Sequence, residues 1–309
     1  MSNTTFAKIV DALQIELYKV NLREVIQPVQ LDGSYEQKNI LIQARKGRVY
    51  VGPQYELLPE GGIYFVPAGE PIYIKFGKGV KYPSFGSESF PSSEERSRYL
   101  KPITFADESK AEDSFAIVRF DVSIYNIISL FYILETPALS IIKDGPLSET
   151  VSQIVREEES NQLGKLKMQE SLGTQMLIHL FRYIQTQAEF DRYFDTLNYL
   201  LDKRLVNIVK YIQDNLDKDL SNKAIANIAY VSEDYVGQFF KTLTNKNLQD
   251  YVEGQRLERA HYLLRTRTDI VQEIAYKVGF KDPAYFSRRF KLKYGVNANV
   301  VRRKDSILL

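Results

Sequence analysis

Ser287, Arg288 and Lys291 share one short segment with two phenylalanines, Phe286 and Phe290, but lie on other helical faces. Basic and hydroxyl groups on an open helical face suit phosphates and base edges rather than bond-making: arginine matches guanine O6/N7 and lysine neutralises phosphate. The remaining sequence offers little other chemistry. There are no cysteines, which excludes disulfides, thiolate metal sites and cysteine nucleophiles and fits a reducing cytoplasm. The two histidines, His179 and His261, cannot make a three-histidine metal set. No metal, cofactor or catalytic residue is expected, and the chain is read as a non-enzyme.

Two short helices position that segment. Asp269 is a candidate N-cap with Gln272 as its capping-box partner, and Ile270, Ile274 and Val278 share a face. Gly279 supplies a stop with positive φ. Asp282 then caps a second helix that opens with Pro283. A short helix, a glycine turn and a longer helix with a basic open face form a helix-turn-helix, the unit that places its second helix in the DNA major groove. The pattern occurs once before, at 221–245. Ile225-Ala226 aligns with Ile274-Ala275, and Phe240-Lys241 with Phe290-Lys291. Ser221 and Ser232 are its caps, and Asn245 closes it in a left-handed position. Between the copies, 248–264 reads as an amphipathic helix containing R-L-E-R-A-H-Y-L-L.

Two such units, the connecting helix and I-A-x-x-V-G-F-x-D-x-x-Y-F-x-R-x-F-K together resemble the AraC/XylS family of transcription regulators. The resemblance covers about residues 203–302. It implies double-stranded DNA and RNA polymerase as partners. By position it assigns groove-facing roles to Pro283, Ala284, Tyr285, Ser287 and Arg288, with Arg289, Lys291 and Lys293 toward phosphates. In the first unit the matching positions are Ser232, Asp234, Gly237 and Gln238, with Lys241 toward the backbone. Asp234 is acidic and Gly237 has no side chain, so the second unit is expected to dominate discrimination. Tyr230, Ala298 and Val301 depart from the family pattern, at a usually small residue, a usual proline and a usual aromatic respectively.

Charge agrees with this division. Residues 201–309 hold 20 Lys/Arg against 13 Asp/Glu, a net of +7, and the remainder holds 21 against 26, a net of −5. A basic end beside an acidic remainder suits a DNA-binding domain joined to a sensing or assembly domain. No basic, apolar leader and no apolar run near twenty residues is present, so neither secretion nor a membrane span is expected.

Residues 1–145 read as short strands with Gly/Pro punctuation, around Ile15 and Leu17, at 40–42, 47–52, 63–66, 72–76 and 114–120. The stretch 47–69 contains L-x-P-x-G-G-x-x-x-x-P-A-G and resembles the cupin-like barrel found at the N-terminus of many AraC-like regulators. Such a barrel can hold a small effector. Tyr64, Tyr73, Lys75 and Phe76 are candidate lining, or else core filling. Residues 85–113 are weakly patterned and read as a lid, an arm or a mobile loop. From about 147 the period becomes helical, near 148–159 and 162–186. In the latter, Leu172, Met176, Leu180 and Ile184 form an i, i+4 stripe that either packs on its own domain or forms a homodimer seam. Residues 187–202 read as a partly helical connection, and 203–215 as the first DNA-domain helix, with Leu205, Ile208, Val209 and Ile212 inward.

The expected fold is therefore α+β and multidomain: a mostly-β cupin-like barrel (1–145), a helical dimerisation or linker region (146–200) and an all-α double helix-turn-helix domain (201–309). The leading functional expectation is a cytoplasmic, sequence-specific regulator, an activator, controlled by a small effector or by dimerisation. The alternative is a regulator whose N-terminal domain binds a protein. An enzyme fused to a DNA-binding tail is disfavoured, because the barrel segment has no His, Cys or nucleophile motif.

Overall fold

The computed structural model describes residues 9–302 apart from 87–89, 91, 126, 143–144, 188–196 and 198. Most of the expected connection at 187–202 lies outside the described residues. Two compact units emerge. Among the described residues, one comprises 15–122 and 136–187, and the other 9–14, 123–135 and 197–302.

The first unit is rich in strands: β1 (Leu13–Val25), β2 (Val29–Tyr35), β3 (Asn39–Lys46), β4 (Val49–Val51), β5 (Glu56–Leu58), β6 (Ile63–Val66), β7 (Pro71–Phe76), β8 (Ser84–Phe85), β9 (Leu100–Pro102), β10 (Ser114–Ile124) and β12 (Leu139–Ile141). β11 (Ile128–Ser129) belongs to the other unit, where it pairs with Ser123 and Ile124 at the end of β10. One sheet runs β12-β6-β3-β10-β1-β9 and the other β5-β4-β7-β2-β8. Alternation sets their faces. In β7, Ile72, Ile74 and Phe76 are buried while Tyr73 and Lys75 turn away. One apolar cluster draws on both sheets, from Val29, Leu31 and Ile74 on one side to Ile40, Ile42 and Ile117 on the other. Phe76 stacks on Phe115 across it at 3.9 Å between ring centroids. The expected mostly-β region is thus two sheets packed around one apolar cluster. Each expected strand is present. The stretch 85–113 is more ordered than its composition suggests: it holds α1 (Ser93–Ser97), capped by Ser92, then β9 and a 3-10 turn at Glu108–Lys110.

Two helices, α3 (Gly145–Glu159) and α4 (Lys165–Gln185), belong to this unit rather than to a separate region. Gln43 donates from β3 to the Ser148 carbonyl at 2.8 Å, and Arg45 donates to Ser152 at 2.6 Å, which ties α3 to the sheet. The α4 stripe turns inward. Leu172, Met176, Leu180 and Ile184 are all buried within the chain. Of the two expectations for the stripe, this burial favours packing on its own domain, because side chains already removed from water have little apolar area left for a second copy.

The second unit is helical: α5 (Lys203–Asp214), α6 (Asn222–Ala229), α7 (Glu233–Thr244), α8 (Leu248–Thr266), α9 (Val271–Lys277), α10 (Pro283–Tyr294) and α11 (Ala298–Arg302). It also takes in α2 (Leu130–Leu134), which follows β11 and which sequence reading leaves unassigned. Leu205, Ile208, Val209 and Ile212 are fully buried, as the α5 pattern requires.

Candidate nucleic-acid interface

Local chemistry builds the first helix-turn-helix as read. The Ser221 hydroxyl accepts from Ala224 N to open α6, and Asn245 closes α7 at φ 58°. Ile225, Ala226, Val236, Phe239 and Phe240 face inward. The turn between α6 and α7 is made by Tyr230 at φ 55°, a left-handed conformation that costs a non-glycine residue about 1 kcal/mol or more. Its ring is exposed. Ser232 occupies the N-cap of α7 without a side-chain capping bond.

In the second unit, Asp282 accepts from Ala284 N at 2.8 Å, Pro283 opens α10, and Gly295 closes it at φ 73°. Gly279 is required twice over. Its φ is +91°, and a Cβ there would lie 2.1 Å from the Leu216 carbonyl oxygen. Two expectations at α9 are corrected. Ile270, not Asp269, is the N-cap, and the Asp269 carboxylate pairs with Lys277 at 2.8 Å instead. Ile270 is exposed, so only Ile274 and Val278 of its trio enter the core.

Ala284, Tyr285, Ser287, Arg288 and Lys291 all lie on the exposed face of α10, and Pro283 is half-buried beside them. Arg288 has no intramolecular hydrogen bond or ion pair among the described residues. Ser287 donates back to the Pro283 carbonyl at 2.9 Å. Asp234, Gln238 and Lys241 line the exposed face of α7, with Ser232 exposed just before it and Gly237 half-buried. Gln238 donates to Thr242 at 3.2 Å. The offset of fifty residues pairs Asp234 with Ala284, Gln238 with Arg288 and Lys241 with Lys291, so each unit presents the same three helical positions.

Two expected phosphate contacts are otherwise engaged. Lys293 points into the unit, donating to Glu258 at 3.1 Å and to the Gly254 carbonyl at 3.3 Å. To reach a phosphate it would first have to leave these partners. Arg289 Nε donates to Glu253 Oε1 at 2.5 Å, and the other oxygen of that carboxylate accepts from the Tyr285 hydroxyl at 2.5 Å. The hydrogen bond to Glu253 raises the Tyr285 pKa. Glu253 is thus a site residue that sequence reading misses, though its place on α8 one turn from Arg256 is a usable signal.

Arg256, from the R-L-E-R-A stretch, donates to the carbonyls of Leu216 at 2.9 Å and Lys218 at 2.8 Å, behind the first unit. Gly279 of the second unit lies against the same guanidinium, at 2.8 Å from its would-be Cβ to Nε. One side chain therefore braces both units. Beside it, a cleft of about 860 Å³ is lined by Asp219, Gln249, Glu253, Phe280 and Tyr285, among others. His261 is a core residue, stacked near Phe290 and 4.7 Å from the Tyr294 ring centroid. Burial, with Arg265 and Lys293 nearby, lowers its pKa to about 3.

The four candidate effector residues are not brought together. Tyr64 and Phe76 are core residues, whereas Tyr73 and Lys75 point to the other face of β7. Lys75 lies 3.8 Å from the centroid of the Tyr55 ring. Burial pushes the Tyr64 phenol up to about 12, partly offset by the backbone of Tyr73 and Gly52.

Two helix-turn-helix units on one connecting helix, with matching exposed faces, define a double helix-turn-helix domain. Residues 225–304 match the family model described as a helix-turn-helix domain. The chain is 38% identical over 102 residues to the uncharacterized transcriptional regulatory protein YesN of Bacillus subtilis strain 168, covering 32% of this chain and 28% of that protein. It is 27% identical over 161 residues to the HTH-type transcriptional activator RhaS of Escherichia coli O1:K1, covering 52% of this chain and 55% of that one. The chain thus spans about a quarter to a half of the length of these two relatives. ToxT of Vibrio cholerae O395 aligns over 96% of this chain and 100% of its own at 10% identity and a TM-score of 0.44, too distant to support an inference. The C-terminal third of this chain is a DNA-binding domain of the AraC/XylS type.

Proposed function

We propose that the protein is a sequence-specific DNA-binding transcription regulator, an activator that works with RNA polymerase and whose strand-rich unit senses a small molecule. The observation that supports DNA recognition most directly is the pair of equivalent exposed faces, Asp234/Gln238/Lys241 and Ala284/Arg288/Lys291, held on one frame. Arg288 is the principal base reader and Lys241 and Lys291 contact phosphates. The activator sign follows the similarity to RhaS, a transcriptional activator. Self-association, expected from the family resemblance, uses a surface other than the Leu172–Ile184 stripe.

The test is binding-site selection with the full chain on random duplexes, followed by the same selection with Arg288→Ala. A defined motif that loses information at one base pair in the variant is the expected result. Enrichment of no motif would refute sequence-specific recognition.

A further inference from the structure

At one end of the sandwich Arg23 and Arg96 each keep a buried Nε with no acceptor among the described residues, beside Arg119 and Lys19. Asn21 and Arg23 on β1 share a face with Val25, which packs against the apolar core. On β10, Arg119 continues the face of Phe115 and Ile117, both core residues. The two strands are neighbours in the larger sheet. The inner face therefore turns from apolar to cationic within one strand step. Arg96 joins from α1, and Lys19 lies at the exposed edge.

Glu36 meets part of this charge: Arg119 Nε donates to it at 3.2 Å, and Asn21 Oδ1 accepts from Arg119 at 3.5 Å. Arg23 is only 4% exposed, yet its Nε has no acceptor among the described residues, and the buried Nε of Arg96 has none either. Buried guanidinium donors are ordinarily satisfied, because each stranded N–H loses its water without replacement. The charges also act on one another. Burial first, then Arg96 and Arg119, lowers the Arg23 pKa to about 10. Burial and Arg119 lower that of Arg96. Lys19 is lowered by burial and by all three arginines, against an opposing pull from Glu36. Gathered like charges, two of them with a buried donor that has no acceptor among the described residues, are organised for an anion that comes from outside.

We propose that Arg23, Arg96 and Arg119, with Lys19 at the edge, form a binding site for the oxyanion group, carboxylate or phosphate, of a small organic molecule. Planar guanidinium groups match both oxyanions through paired N–H donors. That the same anion controls DNA binding rests on the regulator reading above. The binding test uses no DNA, so the two can fail separately.

The experiment is thermal unfolding and calorimetric titration of the full chain with inorganic phosphate and with acetate, against chloride at constant ionic strength. Saturable stabilisation by phosphate or acetate is expected, and the more effective anion names the group. Arg23→Gln is expected to raise the unfolding temperature without anion, by relieving repulsion, and to weaken the effective anion by about ten-fold or more. A residue with a merely structural role would lower that temperature. Arg96→Gln, less buried, should move both quantities in the same directions and carries the test if Arg23→Gln does not fold. Absence of saturable binding by either anion, or an unchanged anion response in the folded variants, overturns the site.

Discussion

Arg288 gives the most direct single-residue expectation. With no partner inside the chain among the described residues, nothing must be broken before it reaches a base edge. Arg288→Ala should cost about 1–3 kcal/mol of binding and relax preference at one base pair, measured by competition with the four substituted duplexes. Gln238→Ala should cost less, since its amide already donates to Thr242 and its unit carries Asp234 and Gly237 on the same surface. Arg289 behaves differently because Glu253 holds it. Glu253→Gln should free that cation, tighten binding to non-specific duplex and steepen the salt dependence by about one counterion, read from affinities across a salt series. His261 sets a pH window. The folded imidazole stays neutral down to about pH 3, whereas an unfolded one protonates near its ordinary 6.5. The unfolded chain therefore binds more protons between those values, and stability falls as pH falls below 6.5. His261→Phe should flatten the urea midpoint against pH between 6.5 and 4.

Caps and turns are where elements were legible from sequence. Ser221, Asp282, Gly279 and Asn245 act through neighbours a few residues away, so their types reveal their roles. What the α4 stripe packs against was not legible, because an apolar face records that it is buried but not by what. Nor was the pairing of Asp269 with Lys277, which competes with a cap that looks equally good on paper. The burial of Leu180 gives a sharp expectation. Leu180→Glu places a lone charge among Leu172, Met176 and Ile184 and should destabilise the strand-rich unit by about 4 kcal/mol or more. Circular dichroism against temperature checks this. A folded variant with altered oligomeric state would instead restore the seam reading.

For the whole molecule, the division into a mostly-β and a helical unit is visible in the change of hydrophobic period and in the charge imbalance. The allegiance of residues 123–135 is not, because it depends on contacts far along the chain. Tyr132 on α2 lies edge-on to Tyr251 at 5.8 Å, and Glu135 beside it pairs with Lys246 at 2.7 Å. A Cβ on Gly254 would meet the Tyr132 hydroxyl at 2.1 Å. The DNA-binding frame thus includes a segment that precedes it by more than sixty residues of sequence, and a fragment cut at residue 201 lacks it. The binding geometry is therefore best tested on the full chain. One chain holds both units on the 19-residue α8, which at 1.5 Å per residue is about 28 Å long. That length is comparable to the roughly 34 Å between successive major-groove segments on one face of a duplex. A single chain should accordingly protect two such segments on the same face. Hydroxyl-radical footprinting at a measured one-to-one stoichiometry should show two protected patches about one helical turn apart. Substitution at Arg256 should preserve each patch while weakening their coupling, because that side chain holds the Leu216 and Lys218 carbonyls against the Gly279 turn. Protection of only one segment by the unaltered chain would mean that the units do not engage the duplex together, and the double unit would then serve some purpose other than extended readout.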